Sequence, residues 1–102
     1  VSQLCFMGHT HLPGVFTTEC EFISPDECDH HYKLGREKIL ANVGSVGQPR
    51  DDNSKSCYVI LDTDEKSLTY RRVDYDRDKT ANKIYNIPDL SDALGDRLKH
   101  GR

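Results

Sequence analysis

A chain of 102 residues has room for one small domain, and at this size every strand counts toward closing a core. Hydrophobic residues make up 35% and charged residues 30%, with no Trp, so the core must come from a few concentrated apolar runs; those runs exist, which excludes a disordered chain. A net charge of -3 with scattered Lys and Arg excludes nucleic-acid binding by charge, and no apolar run nears the roughly 18 residues of a membrane-spanning helix.

Val1 heads the chain in place of Met, and the apolar run Leu4 to Met7 follows with no lead-in loop. The expectation is a piece of a longer protein, with residues 1–102 forming a single domain or a domain fragment. Leu4 to Met7 is continuous and is stopped by Gly8, a pattern that predicts a strand buried on both faces. Val15 to Ile23 mixes β-branched and aromatic residues and predicts one strand or two short ones, ended by Pro25. Tyr32 to Leu34 and Lys38 to Asn42 flank Gly35-Arg36-Glu37, which predicts a hairpin.

Gly44, Gly47, Pro49 and the polar run Asp51 to Ser54 mark an irregular segment, long for a plain connection and so a candidate functional loop. Cys57 to Leu61, a turn at Asp62 to Lys66, and Leu68 to Val73 make the clearest hairpin, with Leu68, Tyr70 and Arg72 on one face. From Asp78 the period turns helical: Ala81, Ile84 and Tyr85 lie at helical spacing, and Leu90, Leu94 and Leu98 recur every four residues before Gly101. The connections between strands are too short for parallel crossovers until these helices, so the expected class is α+β, a largely antiparallel or mixed sheet with C-terminal helices.

Cys5, Cys20, Cys28 and Cys57 contain no Cys-x-x-Cys pair and no secretory segment precedes them, so reduced thiols and a cytoplasmic location are expected.

Two motifs can carry chemistry. Gly8-His9-Thr10-His11 follows a strand, and in an extended chain residues i and i+2 project to one side, about 6.7 Å apart. Neutral imidazoles ligate divalent metals, and two ions about 3.5–4 Å apart could each take one. A short His-x-His also occurs in ordinary loops, where the rings merely hydrogen-bond to backbone or water. In Asn42-Val43-Gly44-Ser45-Val46-Gly47-Gln48-Pro49-Arg50-Asp51 the glycines permit close backbone approach and Arg50 could pair with a phosphate oxygen; the plain alternative is a glycine turn with a solvated Arg.

The order of strand, Gly-His-Thr-His, Asn-x-Gly-Ser-Val-Gly-Gln-Pro-Arg-Asp and Tyr-x-Ile-Leu-Asp resembles the C-terminal portion of bacterial calcineurin-like metallophosphoesterases. The resemblance runs from about Leu4 to the C-terminus. It implies half of an α-β-β-α sandwich, two divalent metal ions in the complete site, with Mn, Fe, Zn and Ni not distinguished, and a phosphate-ester substrate. It also implies that His9 binds one metal and His11 its neighbour, with Asn42 and Arg50 contacting phosphate or positioning the loop. Val43 departs from the family, whose members often have Pro after the Asn.

The family's other ligands, an Asp-x-His, a Gly-Asp, a Gly-Asn-His and a further His, belong upstream. Asp29-His30-His31 spells the first but follows the histidine loop, and Gly95-Asp96 spells the second but falls in a helical pattern. No residue is therefore assigned a catalytic role, and the chain alone is expected to be inactive and possessed of no metal of its own, or to need a partner chain supplying the missing half or a second copy. A non-catalytic oligomerisation or interaction module derived from that fold is the rival reading. Cys20, Cys28, His30 and His31 make a further metal-ligand set, at a spacing unlike that of ordinary structural zinc sites. Aromatic residues such as Phe16, Phe22, Tyr58 and Tyr70 read as core, and the basic residues near the end as a solvated helical surface.

Overall fold

The computed structural model describes residues 3–102; Val1, on which the expectation of a fragment partly rests, lies outside them. Among the described residues seven strands, a 3-10 turn at Asp26–Cys28 and two α-helices follow one another: β1 Leu4–Met7, β2 Gly14–Thr17, β3 Phe22–Ile23, β4 His31–Lys33, β5 Ile39–Asn42, β6 Ser56–Asp62, β7 Ser67–Val73, α1 Arg77–Tyr85 and α2 Asp92–His100. They form a four-stranded sheet in the order β1-β5-β2-β3 and a three-stranded sheet in the order β4-β7-β6.

Alternation decides which residues meet between the sheets. In β5, Ile39 and Ala41 are buried while Leu40 between them is exposed; in β7, Leu68 and Tyr70 are buried while Arg71 is exposed. Val15, Ile39 and Ala41 from the larger sheet pack on Cys57, Leu68 and Tyr70 from the smaller, with Leu4, Tyr32, Leu34 and Val59 around them. Each fully buried aliphatic side chain in such a layer contributes about 1.5–3 kcal/mol.

The hairpin of β6 and β7 forms as the alternation predicts, in a register running from Ser56 opposite Val73 to Asp62 opposite Ser67. The two helices also form. Asp76 caps α1 by accepting from the Lys79 amide, Ser91 caps α2 by accepting from Ala93, and Gly101 ends α2 in a left-handed turn. Leu90 precedes the Ser91 cap, so only Leu94 and Leu98 of the predicted leucine series lie within α2.

Four expectations are corrected, the first being that of the aromatic residues expected in the core only Tyr70 is buried, whereas Phe16, Phe22 and Tyr58 lie on outer faces and are exposed. The runs around Tyr32 and Leu40 are not a hairpin: β4 pairs with β7 in the smaller sheet, whereas β5 pairs with β1 and β2 in the larger. Gly35-Arg36-Glu37 is thus a crossing between layers, because the inward side chains of the two runs, Tyr32 and Ile39, approach the same core from opposite sheets. A parallel pair exists between β1 and β5, in register Leu4 with Ile39 to Met7 with Asn42. The connection that makes it possible contains β2, β3 and β4, so its length is hidden when only successive strands are compared. Finally, β1 is an edge strand with Cys5, Phe6 and Met7 exposed, not a strand buried on both faces.

Candidate functional site

Because β1 and β5 are parallel neighbours ending together at Met7 and Asn42, the loops that follow them leave from the same end of the sheet. Carboxyl ends of parallel strands are a common place for ligand sites. Here the topology brings together the two motifs that lie more than thirty positions apart in sequence. Val43 extends the pairing by donating its amide to the Met7 carbonyl at 3.0 Å.

Asn42 is the fastener between the loops. Fully buried, it donates its side-chain amide to the Gly8 carbonyl at 3.2 Å and to the Thr10 hydroxyl at 2.8 Å. Its side-chain oxygen accepts from the Gly44 amide at 2.9 Å, and its backbone carbonyl accepts from the Tyr70 hydroxyl at 2.9 Å. One residue thus ties the histidine loop, the glycine loop and the facing sheet. A buried amide costs free energy unless its groups are paired, and these are.

The histidine loop is not extended. His9 has φ 80° and His11 has φ 63°, so both sit in the left-handed region and the i, i+2 geometry of a strand does not apply. Such residues cost on the order of 1–3 kcal/mol each, and they persist where surrounding bonds fix them. At His11 those bonds are visible: Nδ1 lies 2.7 Å from the Gln48 carbonyl, and the His11 carbonyl accepts from the Arg50 amide at 3.2 Å. A carbonyl can only accept, so Nδ1 carries the proton, and in the neutral ring the lone pair is on Nε2. Metal-ligating histidines are commonly oriented in this way by a backbone carbonyl. The exposed His9 ring makes no hydrogen bond among the described residues.

The glycine loop is braced from below. Ser45 accepts from the Gln48 amide through its hydroxyl at 2.9 Å, and its carbonyl accepts from Cys57 at 2.9 Å. The Arg50 guanidinium is exposed and donates to the Gln48 side chain at 2.8 Å. Arg72, on the same face of β7 as Leu68 and Tyr70, grips Asp51 through both terminal nitrogens at 3.0 Å and the Asn53 carbonyl at 2.8 Å. Its side chain is 9% exposed, so this bidentate pair is largely screened from water. Burial pushes the Cys57 thiol up, with neighbouring Arg72 acting in the opposite direction. A cleft of about 190 Å³ opens beside the loops, between Leu12, Phe22, His30, Asp51 and Arg72.

The donor set fits part of a metal centre. Two imidazoles are presented, one with its Nδ1 held by the Gln48 carbonyl and its Nε2 lone pair left free for a ligand, but among the described residues no group of three or more His, Cys, Asp or Glu side chains could hold an ion. The Cys20, Cys28, His30, His31 set is not brought together as one: His30 lies 3.7 Å from Asp26, His31 meets Thr69 at 3.3 Å, and Cys28 points to the Pro25 carbonyl. Asp96 is exposed on α2, where it accepts from the Tyr85 hydroxyl at 2.6 Å. No helix among the described residues is long and apolar enough to cross a membrane.

No family model matches the sequence. It is 38% identical over 100 residues to an uncharacterized protein of Methanocaldococcus jannaschii, MJ0912, covering 98% of this chain and 40% of that protein. The crystal structure of a metallophosphoesterase from Sphaerobacter thermophilus superposes on the whole chain with a TM-score of 0.83 at 26% identity, covering 43% of that protein. The chain therefore spans about two fifths of the length of both, and its mixed α+β architecture matches a metallophosphoesterase C-terminal half.

Proposed function

We propose that this chain is the C-terminal part of a metal-dependent phosphoesterase, in which His9 and His11 are ligands from the last loops of a dinuclear centre. The observation that carries the reading is the 2.7 Å contact between His11 Nδ1 and the Gln48 carbonyl, because it ties the two motifs together and leaves Nε2 as the ligating atom. The metallophosphoesterase fold over the full chain supports it. Two divalent ions, when bound in the complete protein, would supply Lewis-acid charge for attack of water on a phosphate ester.

This chain's own residues do the positioning. Asn42 holds Gly8 and Thr10 on either side of His9, and Gln48 and Arg50 hold His11. The Arg50 guanidinium, exposed on the same loop, is available to a phosphate oxygen. A bridging carboxylate is the piece the chain does not contribute, so turnover requires residues supplied from elsewhere.

Titrating the chain with Mn²⁺ while following the histidine ring resonances tests this. Broadening confined to His9 and His11, weak affinity, and no hydrolysis of an aryl phosphate are expected. Silence at both rings would remove the ligand assignment, and tight binding of two ions with turnover by the chain alone would refute its incompleteness.

A second reading, a non-catalytic interaction module of the same fold, is favoured by one feature. The outer face of the larger sheet carries Cys5, Leu40, Phe16 and Phe22 in a cross-strand row, all exposed, ending at the outermost strand, β1. In either reading that surface is where a second copy or the missing half would sit.

A further inference from the structure

We infer that the C-terminal Gly101 is a positioning residue for His11, acting through the Gln48 to Asn53 segment; this rests on the reading of His11 as a ligand. The helical hairpin returns the end of the chain to the glycine loop. There the Gly101 carbonyl accepts from the Asp52 amide at 2.9 Å, and Arg102 Nε donates to the Asp52 carboxylate at 3.2 Å. Gly101 has φ 68°, and a Cβ on it would stand 2.7–2.8 Å from backbone atoms of Asn53. No other residue type permits that approach unless the Asn53 backbone moves.

What Gly101 presses on is already held from the opposite side. Arg72 grips the Asp51 carboxylate and the Asn53 carbonyl, so Asp51, Asp52 and Asn53 are clamped between β7 and the end of α2. Immediately before them stand the two groups that set His11: the Arg50 amide on its carbonyl and the Gln48 carbonyl on its ring. The left-handed backbone of His11 relaxes unless those two bonds hold, and they hold only while the segment behind them is fixed. The hairpin, which otherwise packs chiefly on itself, thereby gains a task at the site: it closes the clamp from the solvent side.

The test uses the full chain without metal, reading amide hydrogen exchange and the His11 ring nitrogens by NMR. Gly101→Ala inserts the clash and a Gly101→Asn variant tolerates the left-handed turn but not the close approach; a chain ending at His100 removes the Asp52 partner without any clash. All three are expected to speed exchange at Arg50 and Asp52 by about tenfold, the loss of roughly one net hydrogen bond, and to turn a single Nδ1–H tautomer into a mixture. The amides of the β6–β7 ladder should stay protected. Unchanged exchange at Arg50 with an unchanged tautomer would overturn the inference. So would full tolerance of Asn, or equal loss of protection across the ladder, since a capping or a global role would then explain the effect. Mn²⁺ broadening is read separately on the unaltered chain: its absence at His11 would sink the ligand reading while leaving the clamp measurable.

Discussion

The Tyr70 hydroxyl crosses from one sheet to the other to reach the Asn42 carbonyl, and both groups are buried. Tyr70→Phe keeps the ring but removes that buried bond between the sheets, so it should cost about 0.5–1.5 kcal/mol, read as a shift in the urea midpoint. The same burial raises the Tyr70 phenol well above its ordinary 10.0. A group whose folded pKa is raised contributes stability in full below the unfolded value and loses it as pH climbs through the folded one. Stability of the unaltered chain should therefore fall as pH rises above 10, and Tyr70→Phe should flatten that fall; an identical slope in both proteins would contradict the assignment. Cys57, buried and with its thiol raised, should resist a disulfide reagent at neutral pH while the exposed Cys5 and Cys20 react, with Cys57 modified only on unfolding.

Gly95 lets α2 lie against α1, since a Cβ there would stand 2.5 Å from the Tyr85 ring. The ring is pinned by its hydroxyl bond to Asp96 and by Lys99, whose ammonium lies 5.2 Å from its centroid. Donation to Asp96 is the main reason the Tyr85 phenol is pushed up to about 12. Gly95→Ala should displace the ring despite the helix propensity that Ala brings, and the Tyr85 phenol should then titrate closer to 10, as it should in Asp96→Ala; carbon-13 NMR of the tyrosine ring reads both. This contact explains why Gly95-Asp96 is a helix-packing pair although it spells a metal motif. Elements whose partners are close in sequence were legible: the β6–β7 register follows from alternation, and both helices from their caps and period. The strands around Tyr32 and Leu40 were misjoined because adjacency in sequence cannot distinguish a hairpin from a crossing between layers. Residue types singled out His9, His11, Asn42 and Arg50 as candidates. The Gln48 carbonyl and the Arg72–Asp51 grip were not legible, because one is backbone and the other joins residues 21 positions apart across a fold.

The described residues span 51 × 22 × 21 Å with a radius of gyration of 15.6 Å, against about 13 Å for a compact domain of this length. The excess has two sources. The helical hairpin packs mainly on itself, and the sandwich has only one covered face per sheet. On the larger sheet the uncovered face holds Leu40 at 43%, Phe22 at 40% and Phe16 at 39% exposure, next to an edge strand whose Phe6 is 45% exposed. Apolar surface of this kind, continuous across three strands, is what monomers avoid. The chain alone should therefore self-associate, with a mass in light scattering above the 11.6 kDa of one copy. Leu40→Glu or Phe16→Lys places a charge on that face while leaving the inner face untouched. Both should restore a monomer; Leu40→Glu should change stability by no more than about 0.5 kcal/mol, whereas Phe16→Lys should lose about 0.5–1.5 kcal/mol more with its ring contact to Phe22, 4.8 Å between centroids. A monodisperse monomer from the unaltered chain would show that the face is tolerated as it stands. Association that survives both charges would place the contact away from this face.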